Sequence, residues 1–222
     1  KESIEKVLVL GNGPSLKQIN FSQLKNSNVT TLGTNRIAQV CRRESWLPDY
    51  YVSFFVEPLR GQNIFFSETG ETLVYPGDIK TAESSKKDIE YMCYNEEVTC
   101  FVSQYYKTFI NPEKTKNTFF IRPVKWNRHI DLPEYVFSKI KKGQFMHHSA
   151  TSQLFQLAFW LEPRSIGIVG QDGFDKKLKI NHFEGYDGNE QSLKKFDIAN
   201  RRMKLLHEAV KHYVVQNNIK TY

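Results

Sequence analysis

The segment from Lys6 to Leu16 constrains the fold most, because an apolar run there stops at a pair of glycines and restarts at a proline. The apolar run predicts a buried strand, and Pro14 suits the first turn of a helix, where no amide hydrogen is needed. Gly11 and Gly13 carry no Cβ, so the backbone between strand and helix can bend and approach a ligand closely. Free N–H groups at a helix start attract anions. The segment therefore predicts either a phosphate-binding turn or a purely structural one.

Length and charge limit the classes of protein to which the chain can belong. With 222 residues, of which 40% are hydrophobic, the chain can bury one sizeable core, so we expect a single domain over residues 1–222. A net charge of +7 suits an anionic substrate, an acidic membrane surface or nucleic acid. The basic residues are dispersed along the chain, which argues against nucleic acid as a partner. A homo-oligomer stays open at this point.

The cysteines and the apolar segments indicate a soluble, cytoplasmic protein. Three cysteines are an odd number and form no C-x-x-C pair, which fits reduced thiols better than disulfides or a zinc site. No apolar stretch approaches the roughly 20 residues of a membrane-spanning helix, and no signal-peptide pattern opens the chain. We expect a cytoplasmic protein whose basic surface can contact the inner face of the cell membrane peripherally.

Strand and helix patterns alternate in the first part of the chain. Residues 28–34 and 50–56 predict the second and third strands, and helical spacing at residues 16–25 and 37–43 separates the strands. This alternation predicts a single Rossmann-like α/β domain, with a mostly parallel sheet and helices on both faces. Such sheets bind ligands at the carboxyl ends of their strands. Three polar residues collect at these predicted ends, namely Asn12, Asn35 and Glu57.

The middle of the chain, about residues 59–143, is less regular and predicts an insertion or lid that carries acceptor specificity. Short elements are expected within it, namely strands at residues 72–75, 98–102 and 118–121 and a helix at 88–94. A basic, aromatic loop follows at residues 122–129, and residues 132–142 predict a short helix or a lid.

Regular structure returns after residue 144. Residues 149–161 predict an apolar helix whose first hydroxyl residues, Ser149 and Thr151, suit N-capping and anion contact. The strand that follows at residues 165–170 ends at Gly170, Gln171 and Asp172. The remaining elements are a polar loop with His182, an amphipathic helix at residues 192–216 and a last strand at residues 219–222.

Three segments, taken together and in this order, resemble a known enzyme superfamily. They are the G-N-G-P-S-L turn at residues 11–16, the T-N-R sequence at residues 34–36, and the helix and strand of residues 149–172 that end in G-Q-D. The set resembles the bacterial CMP-sialic-acid sialyltransferases of the lipooligosaccharide type. It is also similar to the related superfamily of hydroxymethylpterin-pyrophosphokinase-like proteins and flagellin Maf glycosyltransferases.

The resemblance implies a glycosyltransferase that moves a sialic-acid-type or Kdo-type ulosonic acid from its CMP-activated donor to a surface glycan, either lipooligosaccharide or capsule. It implies no cofactor, because the CMP-sugar is itself a substrate. No metal is required in principle, because the leaving group is a monophosphate rather than a pyrophosphate. The partners are then the donor and a glycan or glycolipid acceptor. The residues assigned to the nucleotide are Gly11, Asn12, Gly13, Pro14, Ser15, Asn35, Arg36, Ser149, Thr151, Gly170 and Gln171.

Transfer also needs a base for the acceptor hydroxyl and a group that stabilises the departing phosphate. The candidates lie at or near predicted strand ends and are Asp172, His182, His148 and Glu57. A histidine of ordinary pKa near 6.5 can act as a base at neutral pH. Each candidate also has a structural interpretation, such as helix capping for His148, loop pinning for Asp172 and an ion pair with Arg36 or Arg60 for Glu57.

Two other functions stay open. The same superfamily includes Mg²⁺-dependent pyrophosphoryl transfer to a pterin alcohol, for which Glu57 and Asp172 would serve as metal ligands. A non-catalytic module would bind the nucleotide without turning over a donor. His207 and His212, on the last predicted helix, are expected to be structural or solvated residues.

Overall fold

A seven-stranded, all-parallel sheet forms the centre of the protein. The computed structural model describes residues 4–54, 62–66, 72–76, 79–121, 124–125, 146–147, 150–172 and 193–222. Hydrophobic cores with helices lie on both faces of this sheet. The predicted Rossmann-like α/β fold is therefore confirmed.

The described strands are short, as expected for a buried parallel sheet. In chain order they are β1 (Lys6–Leu10), β2 (Thr30–Thr34), β3 (Tyr50–Ser53), β4 (Gln62–Phe66), β5 (Thr72–Pro76), β6 (Thr99–Ser103), β7 (Thr118–Ile121), β8 (Val124–Lys125), β9 (Met146–His147), β10 (Ser165–Val169) and β11 (Lys220–Thr221). β4 and β5 form an antiparallel pair, and β8 and β9 form a short parallel pair, both separate from the main sheet.

The described α-helices range from one turn to 24 residues. They are α1 (Phe21–Lys25), α2 (Ile37–Glu44), α3 (Ile79–Cys93), α4 (Ala150–Trp160) and α5 (Leu193–Gln216). Single turns of 3-10 helix are found at Pro14–Gln18, Gln104–Thr108 and Pro112–Lys114. None of the described helices is long and apolar enough to cross a membrane.

β1 lies inside the sheet, in the strand order β11-β10-β1-β2-β3-β6-β7. From β1 the chain runs outward through β2, β3, β6 and β7, and it returns to the other side of β1 to form β10 and β11. The strand order therefore reverses between β1 and β10. Open α/β sheets bind ligands outside the carboxyl ends of the strands at such a point. Leu10, the last residue of β1, is in register with Val169 of β10 and Gly33 of β2, so three strand ends meet there.

Alternate residues of β1 contribute to two different hydrophobic cores. Val7 and Val9 pack in the core that contains residues of α4 and α5. Leu8 and Leu10 pack in the core that contains residues of α1, α2 and α3. Burial on both faces explains why the first strand is an unbroken apolar run rather than an alternating one. Each such aliphatic side chain stabilises the fold by about 1.5–3 kcal/mol.

Within the predicted insertion, residues 79–121 are regular. β6 and β7 join the main sheet, and α3 begins at Ile79 rather than at residue 88 as the sequence pattern predicted. The pattern missed the first turns of α3 because the residues from Lys80 to Lys87 are mostly polar and show little apolar periodicity. Of the loop at residues 122–129 only β8 is described, and the helix or lid predicted at residues 132–142 lies outside the described residues.

The three cysteines belong to the core that contains α2 and α3. Cys41, Cys93 and Cys100 are free and buried. Burial raises the pKa of the Cys41 thiol to about 12, and it also raises the pKa of Cys100, to which a hydrogen bond with Cys93 contributes most. The thiols of Cys41 and Cys100 are therefore protonated packing residues rather than nucleophiles.

Candidate functional site

The turns that follow β1 and β10 are bonded to each other at the point where the strand order reverses. The amide of Gly11 donates to the carbonyl oxygen of Val169 at 2.8 Å, and the amide of Gly13 donates to that of Gly170 at 2.8 Å. Two predicted site segments, residues 11–15 and 170–172, thus come together although they are far apart in the chain.

The glycines of these turns allow the two chain segments to approach each other. A Cβ at Gly11 would lie well inside van der Waals contact with the carbonyl oxygen of Gly170 and the side chain of Gln171. A Cβ at Gly13 would lie against the Asp172 carboxylate and 2.9 Å from the Gly170 oxygen. Gly170 itself has a φ of +74°, which favours glycine. The close approach that the sequence predicted for a ligand is therefore made by the chain itself.

The helix start at Pro14–Gln18 already holds a carboxylate. The amide of Ser15 donates to Asp172 Oδ2 at 3.0 Å, and Ser15 Oγ accepts from the amide of Gly170 at 2.8 Å. A carboxylate at this position uses the N–H group and the partial positive charge that were expected to attract a phosphate. Asp172 is pinned through one oxygen, and its side chain is exposed.

Two buried amide atoms at this edge of the sheet lack partners in the part of the chain that the structure describes. They are Asn12 Oδ1, an acceptor, and Gln171 Nε2, a donor. The other atom of each amide is bonded: Asn12 Nδ2 donates to Thr34 O at 3.3 Å, and Gln171 Oε1 accepts from Thr151 Oγ1 at 2.9 Å. Both amides are thus held in place. Since buried polar atoms are nearly always paired, this unpaired donor and acceptor indicate that water or a ligand completes their hydrogen bonds.

Asn35 is oriented by a hydroxyl network that sequence reasoning missed. Its φ of 49° is left-handed, and its Oδ1 accepts from Ser53 Oγ at 3.2 Å. Ser53 shares a 2.9 Å hydrogen bond with the Tyr106 hydroxyl, and Tyr51 donates to Asn35 O at 2.8 Å. Burial raises the pKa of Tyr51 well above its ordinary value, so its phenol stays protonated. The available sequence signal was a serine, Ser53, within the predicted third strand.

Arg36 is bound by α3. Its Nε lies 2.6 Å from Asp88 Oδ2, and its guanidinium donates to Ser84 Oγ at 2.6 Å. Both side chains of the ion pair are at most 4% exposed, and Arg42 also contacts the Asp88 carboxylate. Burial raises the pKa of Asp88, and the hydrogen bond from Arg42 and the charge of Arg36 oppose that shift. These contacts give Arg36 a structural role between α2 and α3.

The structure leaves several predicted site residues undescribed. Glu57, His148, Ser149 and His182 lie outside the described residues. Pro14 opens the 3-10 helix that follows the first turn. Within the described ranges, no group of three or more His, Cys, Asp or Glu residues is placed to hold a metal ion.

A cavity of about 380 Å³ opens between α5 and the carboxyl end of β10. Its polar lining residues are Ser15, Gln171, Asp172, His207, Lys211 and Thr221. His207 Nε2 is buried and has no partner among the residues that the structure describes. The sequence predicted a structural or solvated residue at His207, because the helical pattern alone does not show that one face of α5 borders a cavity.

The half-buried imidazole of His207 predicts a loss of stability in acid. Burial lowers its pKa, and the carboxylate of Glu208 opposes that shift. Asp172 and Lys211 line the same cavity as His207. As the pH falls through about 6.5, the unfolded chain therefore takes up this proton before the folded chain does. The contribution of His207 to the free energy of unfolding is therefore fully present above that pH. It is lost as the pH falls toward the lowered pKa of the folded state.

We expect the thermal midpoint of the protein to fall by a few degrees between about pH 7.5 and pH 5.5. His207→Gln should reduce this pH dependence, whereas His212→Gln, which lies on the same helix outside the cavity, should retain it. The measurement is differential scanning fluorimetry over a pH series. Identical pH profiles for the wild type and His207→Gln would contradict the prediction.

Comparison with known proteins adds no family assignment. No protein-family model matches the chain, and no curated protein sequence matches it. The function is therefore inferred from the geometry of the strand-end crevice and from the motifs found in the sequence.

Proposed function

We propose that this protein is a glycosyltransferase that transfers a sialic-acid-type or Kdo-type ulosonic acid from a CMP-activated donor to a lipooligosaccharide or capsule acceptor. The observation that carries the proposal is the pair of buried, unpaired amide atoms, Asn12 Oδ1 and Gln171 Nε2, on neighbouring strand ends where the strand order reverses. A nucleotide offers both donors and acceptors, so it can satisfy both atoms. The G-N-G-P-S turn that carries Asn12 adds the motif resemblance.

The donor phosphate is best placed at the start of α4. The competing anion position, at Pro14–Gln18, is occupied by the Asp172 carboxylate, which would repel a phosphate. α4 is an 11-residue helix with no acidic residue in its first turn, so its N-terminal partial charge is not neutralised there. Thr151, near this start, is bonded to Gln171, which links the helix to the crevice. The net charge of +7 attracts an anionic donor and acidic membrane lipids around a glycolipid acceptor.

Asp172 is our first candidate for the base. In the transfer, the acceptor oxygen forms a bond to the anomeric carbon, and the bond from that carbon to the phosphate oxygen breaks, with its electron pair leaving on CMP. The acceptor proton passes to the base. The Ser15 amide fixes one oxygen of Asp172 and leaves the other available to accept a proton. His182 and His148 are the alternative bases.

A thermal-shift panel tests the proposed donor. We expect CMP to raise the thermal midpoint without Mg²⁺, because a ligand at 100-fold its dissociation constant stabilises the folded state by about 2.7 kcal/mol. CMP-sialic acid, CMP-Kdo, ATP and GTP complete the panel, each with and without Mg²⁺. Asn12→Ala should remove most of the CMP shift, and Asn28→Ala, an exposed asparagine before β2, should keep it. Stabilisation by ATP with Mg²⁺ and none by CMP would reject the proposal and favour pyrophosphoryl transfer.

Turnover separates an enzyme from a binding module. Release of CMP from CMP-sialic acid or CMP-Kdo should be detectable in the wild type and should fall by about 100-fold in Asp172→Ala if Asp172 is the base. Retention of full activity in Asp172→Ala would move that role to His182 or His148. Binding of CMP with no donor turnover at all would identify a non-catalytic nucleotide-binding module.

A further inference from the structure

The cavity between α5 and β10 combines an apolar wall with several polar side chains. Its apolar wall is aliphatic and consists of Ile168, Val169, Val210 and Val214. His207 and Lys211 lie four residues apart on α5, so both side chains leave the same side of the helix. Thr221 and Asp172 add a hydroxyl and a carboxylate.

We propose that this cavity binds a neutral sugar ring, and that this ring is the acceptor sugar of the transferase; the assignment of the ring as acceptor rests on the proposed function. The volume of about 380 Å³ is within the range of small-molecule sites and is suited to one sugar ring. The cavity borders the candidate base, so it is where an acceptor would have to lie.

The charges of the cavity favour a neutral ligand over an anion. Lys211 contributes one positive charge and Asp172 one negative charge. The lowered pKa of His207 keeps its imidazole neutral at physiological pH. A phosphate or a free carboxylate would meet the Asp172 carboxylate without a surplus of cations, so the balance disfavours both.

The hydrogen-bonding groups of the cavity match sugar hydroxyls, which both donate and accept. Lys211 donates, the carboxylate of Asp172 accepts, and Thr221 does both. The buried Nε2 of His207, which lacks a partner in the described structure, gains one from a bound hydroxyl. The C–H face of a sugar ring can pack on Val210 and Val214, which are branched aliphatic residues of α5.

The cavity borders the strand-end crevice, because Gln171 of that crevice also lines the cavity. Ser15 and Asp172, which are bonded to each other, line it. A sugar bound there therefore lies next to the carboxylate that is the candidate base, on the α5 side of the turn after β1. This places acceptor recognition at the β10 and β11 edge of the sheet, rather than in residues 59–143 alone.

Titration of the purified chain with methyl glycosides of glucose, galactose and N-acetylglucosamine tests the site without any donor. The probe signals are the methyl NMR resonances of Ile168, Val210 and Val214. We expect saturable shifts with at least one glycoside, at a dissociation constant in the millimolar range. Lys211→Met and His207→Leu should each weaken that binding by about tenfold, as expected when one or two hydrogen bonds are lost.

Matched variants on the same helix serve as controls. Lys204→Met and His212→Leu remove the same side-chain types outside the cavity and should leave the dissociation constant unchanged. If His207→Leu fails to fold, Lys211→Met still tests the sugar site. The Lys211 side chain is exposed, so we expect this variant to fold.

The outcomes distinguish the proposed sugar site from the proposal that the donor is a CMP-activated sugar. No shift of the three residues' methyl signals with any glycoside, or unchanged affinity in Lys211→Met, overturns the sugar site. Glycoside binding that responds to these variants, in a protein that CMP does not stabilise, supports the sugar site and rejects the donor. Stabilisation by CMP without glycoside binding rejects the sugar site and retains the donor.

Discussion

Replacing Gly11 by alanine should destabilise the protein by about 3 kcal/mol, at the upper end of the range for overpacking. The new Cβ would overlap the carbonyl oxygen of Gly170, and backbone cannot rotate away as a side chain can. The approach of the two segments is fixed by the 2.8 Å hydrogen bonds from Gly11 to Val169 and from Gly13 to Gly170. Alanine also restricts the unfolded chain, which offsets only about 0.4–1 kcal/mol of the penalty.

Gly167→Ala is the matched control, since this glycine lies in the neighbouring strand β10. The nearest atom to its added Cβ belongs to the Tyr222 ring, at 2.7 Å, and Leu8 Cδ1 follows at 3.0 Å. Tyr222 is 60% exposed, so its ring can move, and we expect a loss below about 1 kcal/mol. Urea unfolding measures the stability of both variants. We expect each variant to lower the midpoint and to leave the slope unchanged. Equal losses in the two variants would show that close backbone approach is not what requires glycine at residue 11.

The first turn shows what a local pattern can predict and where it stops. Residues 6–16 were sufficient to predict a strand, a glycine turn and a helix start, because each depends on a few neighbouring residues. Whether the turn binds an external anion or contacts another part of the chain depends on Gly170 and Asp172. These two residues follow a strand that is distant in the chain. No local pattern contains that pairing, so an anion site and an internal contact are indistinguishable in the sequence.

The same reasoning explains which site residues were missed. Ser53 and Tyr106 meet only because β3 and β6 are neighbours in the sheet, with Tyr106 in the 3-10 helix after β6. His207 borders a cavity only because α5 packs beside the end of β10. The alternation of strands and helices was enough to predict the fold, since parallel sheets follow from that order. The partners of individual side chains depend on strand order, which the alternation leaves open.

At Arg36 the local sequence and a distant partner indicate different roles. Its position directly after a strand-end asparagine suggested nucleotide binding, and the structure gives it an ion pair with Asp88 of α3. Burial raises the pKa of Asp88 although two guanidiniums oppose the shift. The attraction between the charges therefore only just offsets the cost of removing them from water. Such a pair contributes little net stability as a whole, yet the removal of one partner destabilises the protein strongly.

Asp88→Ala should therefore destabilise the protein by about 3–5 kcal/mol, the range for one partner removed from a buried ion pair. The variant removes the Asp88 carboxylate from the Arg36 side chain, which is 4% exposed. Chemical unfolding of the wild type and the variant measures the loss. Glu96→Ala breaks an ion pair with Lys116 whose side chains are 61% and 70% exposed, and it should change stability by less than about 1 kcal/mol.

The double variant Arg36→Met, Asp88→Leu distinguishes a charge effect from a packing effect. If the penalty in Asp88→Ala arises from an uncompensated buried cation, then removal of both charges should recover most of the loss. If the penalty arises from lost packing between α2 and α3, the double variant should be no more stable than Asp88→Ala. CMP should stabilise the double variant as much as the wild type if Arg36 has only the structural role that its ion pair with Asp88 indicates. Loss of the CMP shift in the double variant alone would return Arg36 to the proposed nucleotide site.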